Sequence, residues 1–85
     1  MRWSNESPQN AVAAIGSMTA AIKAQRALER AGIPAQVVSL SPTETRHGCA
    51  YGVSYAADRH PSARQALRLA HISVSEYLQK GGGEP

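Results

Sequence analysis

Two stretches of helical hydrophobic period alternate with extended apolar runs along this chain, and that alternation leaves few ways to fold it. Ala11-Val12-Ala13-Ala14-Ile15 is a short apolar run ended at once by Gly16, the pattern of a buried central strand. Ser17 then offers an N-cap hydroxyl. From Met18 to Ala31 the apolar positions Ala21, Ala24, Leu28 and Ala31 recur three or four apart, with Lys23, Arg26, Glu29 and Arg30 on the other faces. Gly32 is the expected stop of this helix. Pro34 opens an extended segment, Ala35 to Leu40, which Ser41-Pro42 ends. After a polar loop to Gly48, the run from Cys49 to Tyr55 alternates as a strand, with Cys49, Tyr51, Val53 and Tyr55 on one face. Asp58 or His60 can cap a second helix that has Pro61 in its first turn. Ala63, Ala66, Leu67 and Ala70 form its buried stripe, and Arg64 and Arg68 point outward. The Ile72/Val74 alternation in Ile72 to Leu78 predicts a fourth strand.

Strand, helix, strand, strand, helix, strand is the order of the ferredoxin-like βαββαβ sandwich. The expected class is therefore α+β: a four-stranded antiparallel sheet with two helices on one face, the third strand lying between the first two. Composition agrees with a layered fold. The chain has 85 residues, 42% of them hydrophobic and none of them Phe, so each side chain buries little area and a thin helical bundle would be poorly held. Residues 1–9, which are polar and contain Pro8, and residues 81–85, Gly81-Gly82-Gly83-Glu84-Pro85, are expected to be disordered tails on one domain spanning 10–80.

Nine Lys plus Arg against six Asp plus Glu give a formal charge of +3. That bias is mild and does not by itself establish a nucleic-acid or membrane partner. The amino terminus lacks an apolar signal core, and no apolar run approaches the length of a membrane span. A single cysteine excludes an internal disulfide framework and a multi-cysteine metal cage, and it fits a reducing compartment. A cytoplasmic location is expected. His60 and His71 have no second ligand at metal-binding spacing, so neither a metal nor another cofactor is expected.

In this topology the start of strand three, the start of helix one and the end of helix two meet at one edge of the sheet. Cys49, the Gly16-Ser17-Met18 turn and His71 are thereby expected to be neighbours. The thiolate is the reactive form of cysteine, and nearby cations or the free amides of a helix N-terminus favour it. Arg46 and His47 precede Cys49 closely, and Gly48 removes side-chain bulk beside the sulfur. The residues expected to stabilise an anion at Cys49 are thus Arg46, His47, Gly48 and Ser17. The plainer reading is a small core hydrophobe at the head of a strand, with Ser17 only an N-cap. A Cys-His-Asp hydrolase is a weaker reading, because His47 lies too close in sequence to aim readily at the same sulfur.

Ser17, Ala21, Ala24, Leu28, Gly32-Ile33-Pro34, Pro42-Thr43-Glu44 and Gly48-Cys49 together resemble the selenium/sulfur carrier-like family of small bacterial domains. The resemblance implies that Cys49 holds a sulfur or selenium atom as a persulfide or selenosulfide and passes it on. It also implies a donor protein, such as a cysteine desulfurase, and an acceptor. The family pattern has Pro-Arg in the loop, a Ser-Ser pair before the cysteine and Gly after it; this chain has Pro42-Thr43, Arg46-His47 and Ala50. Arg46 stands as the replacement for the loop arginine. Such a protein exchanges an atom stoichiometrically and is not expected to be an enzyme. A lone cysteine suits that role, since a resolving thiol would release the cargo early.

Other classes stay open at this level. A ferredoxin-like interaction or small-ligand-sensing module is the main alternative, with Tyr51 and Tyr55 marking a homodimer surface on the sheet. Otherwise these two tyrosines read as half-buried sheet residues whose hydroxyls reach solvent. An RNA-binding module ranks third, because strand one carries no aromatic and Cys49 stands where one would be needed. Arg26, Arg30, Arg64 and Arg68 form one basic face if the helices lie side by side, and a solvated surface otherwise.

Overall fold

The structure, a computed structural model, describes residues 10–41, 45, 48 and 50–80. Both expected tails fall outside these residues, as do Pro42, Thr43, Glu44, Arg46, His47 and Cys49. The elements are β1 (Asn10–Ala14), α1 (Met18–Arg30), β2 (Ala35–Ser39), β3 (Tyr51–Ala56), a single 3-10 turn (Ala57–Arg59), α2 (His60–Leu69) and β4 (Glu76–Lys80). The sheet order is β2-β3-β1-β4 and every pairing is antiparallel, which is the ferredoxin-like α+β sandwich.

Register sorts the sheet residues onto two faces. Ala13 lies opposite Val53, and Ala11 and Ala35 each lie opposite Tyr55. These residues form one cluster with Ala24, Leu28 and Ile33 from α1 and its exit, and with Ala63 and Leu67 from α2. Alanines on β1 let the helices sit close to the sheet, so a core without phenylalanine still closes. On the other face Val12, Ala14 and Leu40 form a second, smaller cluster, with Val38 and Leu78 packed against it. Gly52 belongs to this face: a Cβ there would stand 3.2 Å from Leu40 Cδ1, 3.2 Å from Val12 Cγ1 and 2.5 Å from the Ala13 carbonyl oxygen. Its missing side chain is what lets Leu40 lie over the sheet.

The two helices end alike. In α1 the Ile33 amide donates to the Leu28 carbonyl and Gly32 to Glu29; in α2 Ile72 donates to Leu67 and His71 to Arg68. Each is a Schellman motif with its hydrophobic contact, Ile33 beside Leu28 and Ile72 beside Leu67 in one cluster.

Three local expectations are corrected. Strand β3 begins at Tyr51, and Ala50 precedes it. Neither Asp58 nor His60 caps α2: the N-cap position is Arg59 with no side-chain hydrogen bond, because the 3-10 turn leads straight into the helix, while Pro61 does sit in the first turn. Strand β4 starts at Glu76; Ile72 and Val74 belong to the connection and owe their alternation to packing against the helix-side cluster.

Candidate functional site

The edge where β1 ends is built around one carbonyl. Tyr51, the first residue of β3, accepts hydrogen bonds through its oxygen from the amides of Ile15 (2.9 Å) and Gly16 (3.1 Å). That doubled contact turns the chain sharply out of β1. Gly16 has φ +121°, a value that a residue with a side chain adopts only under strain. Ser17 then caps α1, its Oγ accepting from the Ala20 amide at 3.1 Å. Ser17 is therefore the N-cap, as expected, and its hydroxyl can in addition donate one hydrogen bond.

The loop that carries the cysteine leaves and re-enters the sheet at this edge. The Leu40 amide donates to the Ala50 carbonyl at 2.8 Å, one step beyond the Ser39–Tyr51 pair, so the loop 41–49 is closed at its base. Ala50 and Gly48 are both exposed, and Gly48 has φ +69°. Thr45 is buried, with no hydrogen-bond partner for its hydroxyl among the described residues. Of the expected site residues, Ser17 and Gly48 are described, whereas Cys49, Arg46 and His47 lie outside the described residues. On the same edge the Ser75 amide donates to the Ala14 carbonyl at 2.8 Å, and α2 ends there. His71, exposed and at φ +60°, terminates that helix.

The aromatic residues sit differently from the sequence reading. Tyr55 is 2% exposed on the helix side, and its hydroxyl shares a 2.8 Å hydrogen bond with Nδ1 of His60. The His60 ring stacks on Tyr55 and meets Tyr77 edge-on, while the Arg64 guanidinium lies 5.8 Å from the centre of the Tyr77 ring. Burial, and next the adjacent Tyr77 phenol, hold the Tyr55 phenol above the ordinary tyrosine range, with Arg64 opposing. This corrects both expectations for Tyr55: its hydroxyl does not reach solvent, and it does not mark a dimer surface. The second sheet face carries Val12, Ala14, Gly52 and Ser54 on the central strands and no aromatic among the described residues, so it offers no base-stacking platform there. Sequence reasoning missed the Tyr55–His60–Tyr77 cluster, because nothing local says that β4 passes beside the first turn of α2. Arg26 and Arg30 line one groove with Glu29, and Arg64 and Arg68 line another.

Among the described residues no group of His, Cys, Asp or Glu is placed to hold a metal ion, and no helix is long and apolar enough to cross a membrane. By its architecture the chain is a ferredoxin-like domain in which Leu40 and Ala50 pair, and Tyr51 holds the turn that leads into the capped start of α1. Residues 10–79 match the family described as "Putative Se/S carrier protein-like", and the chain belongs to that family. No curated protein and no solved structure matches it.

Proposed function

We propose that the protein carries sulfur or selenium on the thiol of Cys49, held as a persulfide or selenosulfide. The observation that carries this reading is family membership across nearly the whole domain. The base of the loop supports it: the residue after the cysteine is tied to Leu40, and the next residue is tied to the Gly16 turn where α1 begins. A helix start is a source of partial positive charge, to which Arg46 adds its own and His47 a ring N–H donor.

The transfer conserves electrons. The Cys49 thiolate attacks the outer sulfur of a donor persulfide, a new S–S bond forms to Cys49, and the donor's S–S bond breaks with its thiolate as leaving group. Delivery is the same step with an acceptor thiolate attacking the carried atom and Cys49 leaving. A selenium atom follows the same path as a selenosulfide. Ser17, Gly48, Arg46 and His47 are assigned the stabilisation of the anion.

Intact mass after incubation with a cysteine desulfurase and free cysteine tests the carrier. The expected result is the gain of one sulfur atom that is removed by a thiol reductant and lost in Cys49→Ser; an equal gain in that variant, or none in the wild type, overturns the reading. The alkylation rate of Cys49 tests the activation. It should reach half its maximum below the ordinary thiol value of about 8.5, and a profile centred there would leave the thiol unactivated.

A further inference from the structure

A concavity of about 510 Å³, a volume that suits a small ligand, opens at the C-terminal end of α2. Leu67 on the helix and Ile72 and Val74 on the connection to β4 give it an apolar lining, to which β4 adds the Tyr77 ring. Arg64 and Arg68 stand four residues apart on one face of α2 and line the same space, and His71 lines it from the helix exit. The Arg64 guanidinium lies 5.8 Å from the centre of the Tyr77 ring, which puts a cation and an aromatic surface side by side. The described lining thus holds two permanent cations and an imidazole, and no carboxylate. Cations in the last turn of a helix ordinarily answer its partial negative charge, and Arg68 by itself needs no further account. Arg64 is different, because it stands a turn earlier, where that charge has faded, and still lines the same space. His71 is different too. It holds φ +60° at the position that α1 fills with Gly32, so the chain sets an imidazole at the concavity at a backbone cost that glycine would avoid.

We infer that this concavity binds a small phosphate monoester whose ester group is apolar or aromatic. A phosphate monoester offers three acceptor oxygens and a charge of about −1.5 to −2 at neutral pH, enough to engage both guanidiniums and the imidazole N–H together. A carboxylate, with a single charge and one oxygen fewer, leaves one of those groups without an acceptor. The ester group lies against Leu67, Ile72, Val74 and the Tyr77 ring, where its removal from water adds to the affinity and separates this ligand from a bare anion. The cations are exposed, so the charge-assisted bonds are individually weak and binding depends on charge and apolar contact acting together. The site involves no sulfur chemistry and stands or falls apart from the role of Cys49.

The test uses the whole chain, isotope-labelled, titrated at low ionic strength with phenyl phosphate and followed by backbone amide shifts. Saturable shifts are expected from Arg68 to Val74 and at Tyr77. Affinity should fall about tenfold in the Arg64→Gln/Arg68→Gln double variant, whose spectrum otherwise reports an intact fold because both positions are exposed. His71→Gly separates binding from folding: it should raise the denaturation midpoint, by relief of the backbone strain, and weaken phenyl phosphate binding in the same protein. Cys49→Ser should bind as the wild type does. Inorganic phosphate, phenol or benzoate binding as tightly as phenyl phosphate would overturn the inference, by showing that the site does not read the apolar group, the charge or the third oxygen respectively. Unchanged affinity in the double arginine variant or in His71→Gly, or shifts centred on Ser17 and Gly48, would overturn it as well.

Discussion

Tyr55 is the residue whose surroundings depart furthest from what its type implies. Its phenol is enclosed by the helix layer and bonded to His60, so the folded state disfavours its ionised form. An unfolded tyrosine ionises near about pH 10 while the folded one stays neutral. The stability tied to this group is thus fully present below about pH 10 and declines as the pH rises further. In Tyr55→Phe that decline should be absent. The variant should be less stable than wild type by about 1 kcal/mol at neutral pH, from the lost hydrogen bond. The gap should narrow above about pH 10. Urea unfolding across the pH range reads both, and parallel curves would show that the phenol is not sheltered. Tyr55 was legible as a sheet residue from the alternation Tyr51, Val53, Tyr55. Its partner was not, because His60 reaches it only after the chain has turned through Ala57–Arg59.

At the scale of elements, the two helices offer a direct comparison. Both end in the same hydrogen-bonded motif, but the left-handed position is Gly32 in α1 and His71 in α2. A side chain there is strained. His71→Gly should therefore stabilise the protein by about 0.5–1 kcal/mol, whereas Ser17→Ala should cost about 1 kcal/mol by leaving the Ala20 amide without its acceptor. Denaturation midpoints compare the two, and a destabilised His71→Gly would mean that imidazole contacts outweigh the strain. The start and stop of α1 were legible because Ser17 and Gly32 act on their own neighbours. The start of α2 was misread: a 3-10 turn precedes it, and no cap side chain is used. Strand β4 was anticipated four residues early, since Ile72 and Val74 are apolar for the sake of the core and not of a strand.

Taken as a whole molecule, the domain rests on very few large side chains. Among the described residues the bulkiest buried aliphatic side chains with no more than about 1% exposure are Leu28, Ile33, Leu67, Val12 and Val53, and alanines supply much of the rest of the core beside Tyr55. A domain of this length holds of order 4–12 kcal/mol in total. Leu28→Ala, which opens a cavity between α1 and the sheet, should cost about 3 kcal/mol, a large share of that total. Leu69→Ala, at a side chain 71% exposed, should change stability by less than about 0.5 kcal/mol. Urea midpoints distinguish them, and similar losses for both would contradict the placement of the core.

Periods, turn residues and the single thiol speak through their immediate neighbours, and for that reason the primary structure alone carried the element order, the sandwich class, the capped start of α1 and the family resemblance. Which tyrosine is sealed, which arginines share a groove, and which strand β4 pairs with depend on contacts between segments far apart in the chain. No local pattern encodes those, because the same alternation fits either face of a sheet until packing chooses one.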